Sequence, residues 1–125
     1  METKNTIKEV CPTSTQELVK RGYLLLDIRE KFEVEALAFD VPNLMHIPMS
    51  EIEERYLEIP KDQTIIVVCE TGERSIRVVA FLQDYGFTNL INMKKGLIKW
   101  VQKRFPTIGD TSAIPEHVCC GGSHC

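Results

Sequence analysis

Residues 69 to 75 read Cys-Glu-Thr-Gly-Glu-Arg-Ser, directly after the apolar run Thr64-Ile65-Ile66-Val67-Val68 and directly before a helical pattern. A cysteine at the carboxyl end of a buried strand, followed by a glycine-containing turn into a helix, sits where backbone N–H groups converge. Those groups and the positive end of the helix macrodipole favour an anion there, a thiolate included. The ligand crevice of an open parallel sheet lies at the same edge. Most buried cysteines are inert small hydrophobes. The setting of Cys69 argues against that reading, because Gly72 frees the backbone to curl and Arg74 adds a cation. Nucleophilic cysteine chemistry is the expectation, with Cys69 as the catalytic residue and Glu70, Thr71, Gly72, Glu73, Arg74 and Ser75 as its substrate-binding loop.

The elements that must hold this loop alternate between strand and helix. Ile7 to Val10 reads as a short first strand. Ser14 and Glu17 have the spacing of a capping box, and Gly22 closes the helix they open. Tyr23 to Ile28 reads as a buried strand, and Glu30 to Phe39 has mixed helical character ended by Pro42. Leu44 to Ile47 is a short strand stopped by Pro48. Ser50 and Glu53 offer another capping box, opening an acidic helix that Pro60 terminates. Thr64 to Cys69 is the clearest strand and Ser75 to Tyr85 the clearest helix, with Gly86 at its stop. Asn89 to Met93 makes the last strand and Gly96 to Phe105 the last helix. Alternation of this kind implies an α/β domain, a mainly parallel sheet with helices on both faces.

The chain has 125 residues, 43% hydrophobic and 26% charged, the make-up of one soluble globular domain with a real core. Its net charge of -3 gives no reason to expect nucleic acid as a partner. No apolar stretch reaches the length of a membrane span, and the polar start Met1-Glu2-Thr3-Lys4-Asn5 lacks a signal peptide's apolar run. A cytoplasmic location with reduced thiols follows as the expectation.

After Pro106 the pattern collapses, so residues 1–106 read as the domain and residues 107–125 as a flexible Cys/His-rich tail without its own core. Three of the five cysteines, Cys119, Cys120 and Cys125, fall in the last seven residues, beside His117 and His124. Three readings of that cluster stay open: a sulfur relay, a soft-metal site using thiolate and imidazole, or a tail whose thiols merely oxidise. Cys11, beside Pro12, reads as a bystander.

Four motifs in register resemble the single-domain rhodanese-like sulfurtransferase family over about residues 5 to 105. Leu25-Leu26-Asp27-Ile28-Arg29-Glu30 is similar to the family's D-x-R-E strand end, and His46-Ile47-Pro48 to its N-I-P. Residues 69 to 75 fit C-x-x-G-x-R-S. Gly86-Phe87-Thr88-Asn89-Leu90, then Gly96 and Trp100, resembles the closing G-F-x-N-V, G-G and W signature. Two departures stand out: Leu37 to Pro42 replaces the usual G-H-I-x-G-A stretch, and Lys95 replaces one of the paired late glycines.

The resemblance implies a rhodanese-like five-stranded sheet and sulfur transfer. Cys69 attacks a sulfane-sulfur donor, holds the sulfur as a persulfide and passes it to a thiol or other nucleophile, with no cofactor or metal. Related phosphatases and arsenate reductases use a loop one residue longer, which cradles a tetrahedral oxyanion. Here four residues separate Cys69 from Arg74, which favours a single sulfur atom. Glu70 and Glu73 flank the nucleophile and would repel a dianion, predicting poor use of thiosulfate and better use of a small-molecule or protein-bound persulfide; the bland alternative is that both point to solvent.

Arg74 reads as part substrate ligand and part loop clamp, with Asp27 as a candidate partner beside the crevice. Arg29 reads as structural within the same substrate-binding group, and Ser75 as a helix cap. A monomer is expected. Two other classes compete: a rhodanese-like regulatory or binding module, and a soft-metal-binding thiol protein without turnover. Lys94, Lys95, Lys99, Lys103 and Arg104 form a basic stretch that would suit an acidic partner or simply a solvated helix face.

Overall fold

The computed structural model describes residues 7–114. Five parallel strands form the main sheet: β1 (Lys8–Val10), β2 (Leu24–Asp27), β4 (Leu44–His46), β5 (Ile65–Val68) and β6 (Leu90–Met93), in the spatial order β1-β6-β5-β2-β4. Strand β5 lies at the centre and is buried along its whole length, as its unbroken apolar run requires. Its residues alternate between two cores. Ile65, Val67 and Cys69 face one layer with Ile52 of α3 (Ile52–Arg55) and Val78, Val79 and Leu82 of α4 (Glu73–Asp84). Ile66 and Val68 face the other, with Val19 of α1 (Pro12–Lys20) and Leu97 and Trp100 of α5 (Gly96–Gln102). The sheet is thus covered on both faces. No helix among the described residues is long and apolar enough to cross a membrane.

Several local expectations are corrected. The Ser14–Glu17 capping box does not form. Proline fits the first helical position, where its missing N–H costs nothing, so Pro12 starts α1 with Cys11 at the cap. The Ser50 hydroxyl is likewise captured elsewhere, donating to Glu30 at 2.8 Å. Without that cap the acidic segment breaks into a short helix, α3, between two 3-10 turns, Met49–Glu51 and Tyr56–Glu58. The segment expected to be mixed resolves into α2 (Lys31–Ala36) followed at once by β3 (Leu37–Phe39).

The expected domain boundary at residue 106 falls short of the observed pairing. Strand β7 (Thr107–Gly109) runs antiparallel to β3, and Ile114 packs against the core around Trp100. Pro106 anchors the turn: its carbonyl accepts the Trp100 indole N–H at 2.8 Å and the Asp40 N–H at 3.1 Å. His117, Cys119, Cys120, His124 and Cys125 lie outside the described residues. Among the described residues no three metal-ligating side chains gather into one site.

Candidate active site

Strand β5 delivers Cys69 to the carboxyl edge of the sheet, and the turn from β6 into α5 holds the loop that follows. The Leu97 N–H donates to the Cys69 carbonyl at 2.9 Å and the Ile98 N–H to the Glu70 carbonyl at 3.2 Å. With its carbonyls taken from outside, the loop can direct N–H groups inward. Two glycines make this packing possible. A Cβ at Gly96 would lie 2.2 Å from the Glu70 carbonyl oxygen, an impossible approach for any larger residue. Gly72 adopts φ +96°, and a Cβ there would meet the Lys95 nitrogen at 3.0 Å.

The thiol of Cys69 is completely buried. Its Sγ accepts the Gly72 N–H at 3.1 Å and the Ser75 N–H at 3.3 Å, and lies 3.3 Å from Ser75 Oγ, to which the S–H donates. Of the convergent N–H groups expected from residues 70 to 75, these two reach the sulfur. Glu73 opens α4 and is exposed, as is Thr71, whereas Glu70 is partly buried.

Ser75 does not cap α4. The cap position is Gly72, with no side-chain bond, and the Ser75 hydroxyl instead donates to Asn92 Oδ1. Asn92 is wholly buried on β6, and its Nδ2 donates to Glu9 Oε2 at 2.8 Å and to the Gly72 carbonyl at 3.3 Å. One amide therefore touches both residues that bond the sulfur.

The partner of Arg74 is also corrected. Its guanidinium grips Glu33 of α2 through two bonds of 2.9 and 2.8 Å, not Asp27. The bond from Arg74 holds the Glu33 carboxyl below its usual range, against a smaller opposing effect of burial. The same bond raises Arg74 further above its usual value.

Asp27 faces Arg29 instead. Arg29 Nε and Nη2 reach the Asp27 carboxylate at 3.0 and 2.8 Å, and Nη2 also donates to the Leu37 carbonyl at 2.8 Å. Both side chains are buried, with the Arg29 guanidinium 5.6 Å from the Phe39 ring centre. This fork ties the end of β2 to β3. Asp27 is thus the counter-ion of Arg29 within a buried pair.

Two site residues, Asn92 and Glu33, were absent from the sequence reading. Asn92 carried a signal, a lone amide within the apolar run Leu90-Ile91-Asn92-Met93. Glu33 carried none, because its contact joins residues 41 positions apart. The open cleft of about 460 Å³ lined by Lys8, Thr64, Gln83 and Asn89 lies at the opposite, amino-terminal edge of the strands. It is remote from the thiol and has no part in the chemistry described.

The sequence and the architecture resemble those of known proteins. A sulfurtransferase of Allochromatium vinosum is 33% identical over 85 residues, covering 68% of this chain and 78% of that protein. Rhodanese-like domain-containing protein 17 of Arabidopsis thaliana is 34% identical over 103 residues, covering 73% and 66% respectively. The crystal structure of a rhodanese-related protein from Thermoplasma volcanium superposes with a TM-score of 0.73 at 28% identity, covering 82% of this chain and 99% of that one. The model of the Rhodanese-like domain matches residues 12–103, and the chain belongs to that family.

Proposed function

We propose that this protein is a sulfurtransferase that carries a sulfane sulfur on Cys69. The observation that carries the reading is the buried Sγ held by the N–H groups of Gly72 and Ser75. Two fixed dipoles in a water-excluded site stabilise a thiolate, and they serve the persulfide anion equally well. In the first half-reaction the Cys69 thiolate attacks the outer sulfur of a donor R–S–SH. The new S–S bond forms on Cys69, the donor's S–S bond breaks, and R–S⁻ departs with the electron pair. In the second, an acceptor thiolate attacks the outer sulfur of the Cys69 persulfide, and the Cys69 thiolate leaves.

The same site favours a thiol-bound or protein-bound persulfide over thiosulfate. Arg74, the loop's cation, is already paired with Glu33, while Glu70 and Glu73 form no ion pair among the described residues. A dianion would enter a loop with a carboxylate on either side of the nucleophile's turn and would lose its hydration on the way to a buried thiol. The loop's four-residue spacing from Cys69 to Arg74 also suits a single sulfur better than a phosphate-sized group.

The test is peptide-resolved mass spectrometry of the reduced full-length chain after mixing with a persulfide donor. The comparison covers wild type, Cys69→Ser and a chain ending after Ile114. The expected result is the mass of one added sulfur on the Cys69 peptide, absent in Cys69→Ser and lost when a thiol acceptor is added. Sulfur that later reaches Cys119, Cys120 or Cys125 only when Cys69 is present would add a relay by the tail. No adduct on Cys69 with any donor would overturn the reading in favour of a binding module or a thiol–metal protein.

A further inference from the structure

A chain of side chains runs from the thiol to the protein surface: Cys69 Sγ, Ser75 Oγ, Asn92, Glu9. We propose that Asn92 and Glu9 are positioning residues that fix the direction of the Ser75 hydroxyl, so that it presents a lone pair rather than its proton to Cys69 Sγ. The inference rests on Cys69 being the nucleophile, as proposed above.

The direction follows from which atoms can donate. Glu9 stands beside Asn92 in the β1–β6 register and is exposed. A carboxylate and a peptide carbonyl only accept, so the Asn92 NH₂ must face Glu9 and Gly72, which turns Oδ1 to Ser75. Oδ1 also only accepts, so it takes the single proton of the Ser75 hydroxyl. Ser75 Oγ is left with lone pairs toward Sγ at 3.3 Å. That arrangement receives a proton from a thiol and opposes a thiolate, because hydrogen bonds favour whichever protonation state they fit. To support the anion, the hydroxyl must swing its proton onto the sulfur. It does so at least strain if the amide turns its NH₂ toward Ser75 Oγ, giving up both Glu9 and the longer bond to the Gly72 carbonyl. A surface carboxylate thus restrains a buried nucleophile through two intervening side chains.

Other charged residues lie on the elements packed around Cys69 as well. Glu70, Glu73 and Arg74 come from its own loop and helix, and Glu33 from α2. The buried Asp27–Arg29 pair ends β2, and Lys94 and Lys95 lie on the turn packed against Gly72. A test must therefore separate the orientation of the hydroxyl from the field of a removed carboxylate. A glutamine at position 9 does so, since it can accept or donate and leaves only the longer 3.3 Å bond to the Gly72 carbonyl to hold the amide.

The experiment follows alkylation of the Cys69 peptide by iodoacetamide across pH in the full-length chain. Wild type, Glu9→Gln, Ser75→Ala and the double variant are compared, with thermal melting as a check on the fold. Glu9→Gln is expected to be alkylated about three- to tenfold faster than wild type at about pH 6, with its profile moved to lower pH. In the Ser75→Ala background the same substitution is expected to change nothing, because no hydroxyl remains to be oriented. Superimposable wild-type and Glu9→Gln profiles would overturn the inference. So would an equal gain with and without Ser75, which would mark a plain charge effect. Alkylation reads the thiol directly, so this failure is distinguishable from a failure of sulfur transfer.

Discussion

Charge at the mouth of the site is decided by single residues. Arg74 is taken by Glu33 through two bonds, so in the proposed reaction Glu70 and Glu73, offset in part by Lys94 and Lys95, contribute to the charge met by an incoming donor. Burial of Cys69 sharpens their effect, since a charged donor loses water before it can be compensated. Replacing Glu70 by arginine converts a repulsion into an attraction close to the nucleophile. Glu70→Arg is expected to raise kcat/KM for thiosulfate about tenfold while changing that for a thiol-bound persulfide by less than about twofold. Steady-state kinetics with both donors decide it, and equal effects on the two would remove the charge argument. Cys69 itself was legible from sequence because its position relies on local order alone: apolar strand, short turn, helix. The partner of Arg74 was not, since Asp27 is consumed by Arg29 two residues away while Glu33 arrives from another element.

At the scale of elements, the Arg74–Glu33 bridge fastens the start of α4 to α2, a helix of six residues with no buried side chain of its own. Glu33 also accepts the Glu30 N–H at 3.1 Å, so one carboxylate both closes the amino end of α2 and ties it to the loop. Its carboxyl is held below the ordinary value of 4.5 mainly by the bond from Arg74. A depressed carboxyl contributes stability that is present above its unfolded pKa and is lost as pH falls through its folded one. Glu33→Gln should therefore be less stable than wild type by about 1 kcal/mol at neutral pH, a modest figure because the pair is partly exposed to solvent. The gap should close in acid, below the ordinary value of 4.5. Urea unfolding at neutral and acidic pH measures it, and a gap that persisted or widened in acid would contradict the assignment. Strands and the longest helix were readable in the sequence because apolar period and glycine stops agree. The two capping boxes were not, because Pro12 and Glu30 are stronger claims on the same backbone and hydroxyl.

At the scale of the whole fold, the described residues form a two-sided parallel sheet, and residues 107–114 close one edge of its second core. Trp100 sits at the centre of that closure, edge-on to Phe39 at 5.2 Å and to Phe105 at 5.2 Å. Strand β7 then crosses to pair with β3, the Asp110 N–H reaches the Ala36 carbonyl at 3.1 Å, and Ile114 covers part of the same cluster. The sequence after Pro106 hides this, for it is short, polar and rich in turn residues, and a three-residue strand has too few positions to display a period. Only the partner strand β3 reveals it, and β3 lies in the stretch where the family pattern itself departs. Residues 107–114 thus act as a strap on the core and on α2, which carries Glu33. A chain ending after Pro106 is expected to unfold about 1–3 kcal/mol more easily than one ending after Ile114, from lost strand pairing and apolar cover. Trp100 fluorescence during urea unfolding follows the affected core directly. Equal midpoints for the two chains would show that the strap contributes nothing to the core, while a lowered midpoint would make residues 107–114 part of the folded domain.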